Sequence, residues 1–276
     1  MVSMKTTKAI VFIEEIPTDG HSPMKFLCDD GQIYFCKYML SAKTEELDCL
    51  IYEVVCHFLL KSLSLPTPNI AFVELIEGVF YEKDIPRNRK YAKPSVICFG
   101  SQEVKNANLV SGLELVTDAH SLQTLYNPYD LIRIAIFDLW VDNTDRGKNN
   151  NYNLLVSPHE NKLKIWAFDH AFTFGGLESL RIFNPKFQPS LYNKLFTTPY
   201  FLSIVSHLDP ELCHEVALKF IENLEKSVGI IESMFEQIPQ KWQVYPSLKL
   251  KIHNFLLDSQ RLEIIKELTL KQLSKK

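Results

Sequence analysis

The chain has little of what marks several common classes of protein. No run of eighteen apolar residues occurs, and even Ile134–Trp140 is interrupted by Asp138, so a membrane-spanning helix is not expected. Residues 1–17 lack the basic, apolar and small-residue succession of a secretory signal. Positive charge is not in excess. The formal net charge is -3, which argues against the basic footprint of a direct nucleic-acid binder. The Lys271, Lys275 and Lys276 cluster reads as a solvated tail. None of the six cysteines sits in a C-x-x-C pair, so zinc-site spacing is missing. The apolar neighbours of Cys36 and Cys56 suit reduced thiols acting as small hydrophobes. That predicts a cytoplasmic protein. No long Gly/Ser or Pro-rich tract and no fixed-period repeat divides the chain.

What is present is a long, apolar-rich chain. Its 276 residues are 46% hydrophobic and 12% aromatic, enough for one large core or two adjoining ones. Residues 8–16 read as a strand, and Pro17–Gly20 as a turn. Met24–Cys28 and Gln32–Tyr38 are β-rich and flank Asp29-Asp30-Gly31, a hairpin signal. Leu47, Leu50, Ile51, Val54, Val55, Phe58 and Leu59 then follow helical spacing up to Pro66. Ile70–Ile76, Gly78–Tyr81 and Pro94–Gly100 read as further strands, the last running into a bend at Gly100–Ser101. Beyond it the pattern turns helical, with helices expected over 128–141, 210–225 and 256–273 and a hairpin of 152–156 with 162–168. A β-rich part and an α-rich part joined near residue 100 make an α+β protein.

The chemistry-bearing stretch is Asn143-Thr-Asp145-Arg-Gly-Lys-Asn-Asn150-Asn-Tyr-Asn153, followed by Trp166-Ala-Phe-Asp169-His. A helix ends near Asn143, a loop carries Asp145 and Asn150, and a hairpin closes at Asp169. Because an antiparallel hairpin brings its start beside its finish, Asn150 and Asp169 are expected together, with Asp145 on the loop before them. Phosphoryl transfer uses such a set: an Asp to orient the attacking hydroxyl, and an Asn oxygen with an Asp carboxylate to hold a divalent cation against nucleotide phosphates. Taken alone, the loop reads more simply as a polar turn. Asp169 at the end of an apolar strand shifts the balance toward chemistry.

These two segments resemble the catalytic core shared by protein kinases, lipid kinases and HipA-like kinases, and are most similar to short, stand-alone HipA-like kinase domains. The resemblance spans roughly residues 8–175. It implies a bilobal protein-kinase-like α+β fold, with a small β-rich N-lobe over 1–100 and a larger, mostly helical C-lobe over 101–276. It implies ATP and Mg2+ as cofactors, Asp145 as catalytic base, and Asn150 and Asp169 as metal ligands. Lys37, in an otherwise apolar strand, would pair the phosphates, with Glu53 as its helix partner. Glu53 lies off the apolar stripe of its helix and must face the cleft to serve. Phe99, Gly100 and Ser101 would form the connector against which adenine packs, and His21 and Ser22 would contact phosphate.

The chain departs from the wider kinase pattern in two places. The Asp19–Pro23 loop has one glycine, and Asp169 is followed by His170 rather than Phe-Gly. The functional expectation is transfer of the γ-phosphate of ATP to a hydroxyl, on Ser/Thr of a protein, the chain itself included. The alternatives are a nucleotide-binding pseudokinase or partner-binding module, and a small-molecule phosphotransferase. An antitoxin-like protein partner is implied only by analogy.

Overall fold

The computed structural model describes residues 4–18, 20–110, 118–146, 152–176, 181–184 and 186–275. The first third is a closed five-stranded barrel. Its strands are β1 (Lys5–Glu15), β2 (Met24–Cys28), β3 (Ile33–Lys37), β4 (Ile70–Leu75) and β5 (Ile97–Gln102), in the order β1-β2-β3-β5-β4. All neighbours are antiparallel except β1 and β4, which pair in parallel and close the ring. Closure leaves no unpaired edge.

A five-stranded ring has a narrow interior, and the sequence supplies small residues for it. Ala9, Cys28, Cys36, Ala71 and Cys98 are wholly buried there, with Met24, Phe26 and Tyr34 filling the ends. This is where half of the cysteines go, and all six are free and buried. Gly100 also faces inward, where a Cβ would lie 2.5 Å from Val73 Cγ2. Its missing side chain is therefore a requirement of barrel packing.

Two strand expectations need correction. Residues 78–81 form turns rather than a strand, because Gly78 has a positive φ of 80° and the segment leaves the sheet. The fifth strand runs through Gly100–Ser101 to Gln102 without a bend, since Gly100 and Ser101 pair with Cys36 and Phe35 of β3. The connector to the rest of the chain starts at Glu103.

Between β3 and β4 runs α1 (Glu45–Ser62). Its predicted apolar face is buried, but so are Tyr52, Glu53, Cys56 and Leu60, so the helix is enclosed nearly all round. It lies between the barrel and the C-terminal helices.

A second sheet follows, with order β6 (Asn108–Leu109), β7 (Leu154–His159) and β8 (Lys162–Ala167). The β7–β8 hairpin turns through Glu160 and Asn161, both at positive φ. Before it come α2 (Ala119–Gln123) and α3 (Asp130–Trp140), which is buried along its length. Around α3 pack α4 (Pro199–Val205), α5 (Pro210–Ser227) and α8 (Ser259–Leu273), while α6 (Ile230–Phe235) packs against α1 and against α7 (Leu248–Leu256). The helix expected over 256–273 is α8, its start moved to Ser259 because Asp258 accepts from Arg261 N and caps it there. No helix among the described residues is long and apolar enough to cross a membrane.

Candidate active site

The pleat of β3 sends Tyr34 and Cys36 into the barrel and therefore Lys37 out of it, toward α1. Lys37 Nζ donates to Glu53 Oε1 at 2.7 Å. The same ammonium lies 2.9 Å from Asp169 Oδ1. Asp169 stands two residues past β8 with φ of 57°, a left-handed conformation that Asp tolerates better than most residues. That backbone turn returns its carboxylate toward the barrel.

Lys37 is 9% and Glu53 5% exposed. Burial alone would lower Lys37, but the carboxylates of Asp169 and Glu53 outweigh it and hold the lysine above its ordinary value. Burial pushes the Glu53 carboxyl up against the pull of Lys37. Burial also opposes ionisation of Asp169, yet the Lys37 ammonium wins and keeps its carboxyl below the usual range. Asp169 is thus a carboxylate at neutral pH, already facing a cation.

Behind this trio stands a second buried layer. His170 N donates to Glu53 Oε2 at 3.0 Å, so both oxygens of Glu53 are occupied. Arg146 is fully buried and its Nε meets Asp138 Oδ2 at 2.6 Å. Its guanidinium also donates to Tyr152 O at 2.7 Å, to Asn153 O, and to Phe168 O at 3.1 Å. One side chain thereby fastens the residues that open and close the hairpin. Arg146 Nη2 also meets His170 Nε2 at 3.0 Å. A guanidinium only donates, so His170 accepts there and is neutral, and burial holds it well below the ordinary histidine value.

Asp145 follows α3 on a short loop whose backbone is set by Asn143, Oδ1 of which accepts from Asp145 N at 3.1 Å. Asn153 Nδ2 donates to Asp145 Oδ2 at 3.0 Å, and Asn153 O accepts from Phe168 N at 3.2 Å. Asn153 therefore links Asp145 to the residue preceding Asp169. It too has positive φ, 44°. Next to it, Asp142 receives Lys194 Nζ at 2.8 Å and Arg181, which ties residues 181–194 to the end of α3.

The structure thus brings Lys37, Glu53 and Asp169 into direct contact and joins Asp145 to them through Asn153. Asn150 lies outside the described residues. Asn153 was missed from sequence although the hairpin register carries the signal. The ladder pairs Leu154 with Ala167, and one further step sets Asn153 opposite Phe168, beside Asp169. His21 is nearly buried, and burial together with Lys37 depresses its pKa. Ser22 is buried next to it. Phe99 is buried with Phe72 in the core beneath α1, and Ser101 is half-buried on the same outer face of β5.

A buried lysine–glutamate pair touching a strand-terminal aspartate, with a further aspartate on the loop before the hairpin, matches the arrangement that kinases use. The chain belongs to the HipA-like kinase family, whose model matches residues 10–269. Among solved structures it is similar to the Helicobacter pylori proinflammatory kinase CtkA. That match has a TM-score of 0.52 and 12% identity, covering 99% of this chain and 98% of the other. It is also similar to the Golgi casein kinase, with a TM-score of 0.50 and 11% identity, covering 99% of this chain and 74% of the other. At such identities the likeness is one of fold. No curated protein is matched by sequence.

Proposed function

We propose that the chain transfers the γ-phosphate of ATP to a hydroxyl, on Ser/Thr of a protein, with the barrel and α1 acting as an N-terminal lobe and the helical part as a C-terminal lobe. The observation that carries this reading is Lys37 bridging Glu53 and Asp169 while Asn153 joins Asp145 to the same hairpin. In this reading Asp145 orients and deprotonates the acceptor hydroxyl. Lys37, held charged by two carboxylates, pairs the phosphates, and Glu53 keeps it extended. Phe99, Gly100 and Ser101 contribute the strand that leads to the adenine side.

The donors assigned to a hard divalent cation such as Mg2+ are the Asp169 carboxylate and the amide oxygen of Asn150, the latter on the loop outside the described residues. A bound cation would neutralise charge on the phosphates. Arg146 would act beneath them, fixing the hairpin ends, one of which leads to Asp169.

Incubation with labelled ATP and magnesium, followed by mass spectrometry of the chain and of lysate proteins, tests the reading. Phosphoserine or phosphothreonine is expected on a protein. Asp145→Asn should lose about 10²- to 10⁴-fold in transfer rate and still bind nucleotide; full activity in that variant would remove Asp145 from its role.

A further inference from the structure

Kinases usually cover the phosphates with a loop rich in glycine. Here the connection from β1 to β2, residues 16–23, has one glycine and is bounded by Pro17 and Pro23. A Cβ on Gly20 would meet nothing within 4 Å. The shape of this loop comes from elsewhere in the chain.

Between β4 and β5 the chain leaves the barrel for residues 76–96 and returns. Ile85 and Ala92 of this excursion are wholly buried in the barrel core. They anchor a tight turn in which Ala92 N donates to Asn88 O at 2.9 Å. Asn88 is 1% exposed. Its Nδ2 donates to Glu15 Oε1 at 2.6 Å and to Ser22 O at 2.8 Å, and its backbone N donates to Glu15 Oε1 at 3.0 Å. Glu15 ends β1 and Ser22 lies just before β2, so one side chain grips both ends of the loop. Arg87 adds its backbone N to Glu15 Oε2 at 3.2 Å and its guanidinium to Thr18 O. Inside the loop, Thr18 Oγ1 donates to His21 O at 2.7 Å.

The fixed loop presents His21. Its side chain is 9% exposed, and its Nε2 is buried without a hydrogen-bond partner, 3.9 Å from Glu46 Oε2. Glu46 is already engaged by Leu40 N at 2.6 Å, Ser41 N at 3.2 Å and Ser41 Oγ. Lys37 and Asp169 are within electrostatic reach of the ring. A buried imidazole nitrogen without a partner is costly, and a phosphate oxygen between it and Lys37 would satisfy it.

We propose that Asn88 is a positioning residue for the phosphate end of the nucleotide: it clasps both ends of the 16–23 loop and so holds His21 Nε2 where it donates to a phosphate. This rests on the reading that the site takes ATP. The chain replaces glycine-borne backbone contacts with a side-chain donor held by a distant clasp.

The test compares wild type, Asn88→Ala, Arg87→Ala and His21→Ala in titrations with Mg-ATP, ADP and adenosine, together with amide hydrogen exchange of the free protein. Asn88→Ala and His21→Ala should each weaken ATP and ADP binding about tenfold, raising KM for ATP more than they lower kcat, and Arg87→Ala by about threefold. Adenosine binding should stay unchanged, and exchange should quicken across 16–23 in the Asn88 and Arg87 variants. Adding His21→Ala to Asn88→Ala should cost little more than either alone. If Asn88→Ala does not fold, the exposed Arg87 variant carries the same comparison. Folded Arg87 and Asn88 variants with unchanged ATP binding, or equal losses for ATP and adenosine, overturn the clasp alone. A wild-type protein binding neither ATP nor adenosine overturns the kinase reading and the phosphate role with it.

Discussion

Two loops flank the space between Lys37 and the hairpin, and they are held in opposite ways. The loop bearing Asp145 is fastened by its next residue, Arg146, whose partners lie between positions 138 and 170. The loop bearing His21 is fastened by Asn88, more than sixty positions away. One uses a buried ion pair whose cation also gathers three backbone carbonyls. The other uses a neutral amide that donates to a carboxylate and a carbonyl at the rim of a barrel. The difference teaches that the loop proposed to carry the catalytic aspartate is a self-contained segment, whereas the loop proposed to meet phosphate borrows its shape from a distant insertion.

The largest expected effect tests the first half of that contrast. Arg146→Ala leaves Asp138 buried without its cation and takes one donor from each of three carbonyls, a loss of about 3–5 kcal/mol. Thermal unfolding should show a fall in Tm of roughly ten degrees or more. Asn88→Ala, which removes a neutral amide from one carboxylate and one carbonyl oxygen, should cost about 1–3 kcal/mol. Equal losses would break the comparison. Next, metal-dependent turnover should fall steeply in Asn150→Ala, the proposed cation ligand, and about 10- to 100-fold in Asn153→Ala, whose amide orients Asp145. An Asn150 variant with unchanged metal dependence would take the cation away from residue 150.

A smaller effect concerns acidity. His21 is depressed by burial and by Lys37, so the native state resists its protonation. The contribution is fully present above the ordinary histidine value and fades as pH falls below it, because the unfolded chain then binds the proton that the folded chain refuses. Between pH 7.5 and 5.5, wild-type Tm should fall more than that of His21→Gln, as differential scanning calorimetry would record; parallel slopes would place the ring in solvent. The smallest effect is Gly20→Ala, expected to leave stability within about 0.5 kcal/mol and nucleotide binding intact. A large loss there would mean that this loop works through glycine after all.

Much of the site was legible because it is local. Asp145 and Asp169 bracket one hairpin, and hairpin geometry alone brings them near each other. Lys37 stood out as a cation in an apolar strand. Glu53 was harder, since on a helical wheel it leaves the apolar stripe. In the structure α1 is enclosed on nearly every side, so the side judged polar is an inward face meeting Lys37. The run Asn149-Asn150-Asn151-Tyr152-Asn153 offered several amides, of which the sequence pointed to Asn150, outside the described residues, while strand register adds Asn153 as a partner of Asp145. Asn88 gave no local sign. Its neighbours read as an ordinary polar excursion, and its role exists only once Ile85 and Ala92 are seated in the barrel.

The residues joining α6 to α7 carry a further consequence. Trp242 Nε1 donates to Ile97 O at 2.8 Å, its ring meets Phe72 edge-on at 5.3 Å, and Lys241 Nζ reaches Ser95 O at 2.8 Å. These grips fall on the start of β5, so the helical region holds the barrel from outside as well as through α1. Swinging the barrel outward to let a spent nucleotide escape would strip the indole of its acceptor, at about 1–3 kcal/mol. Any outward swing of the barrel therefore carries that cost.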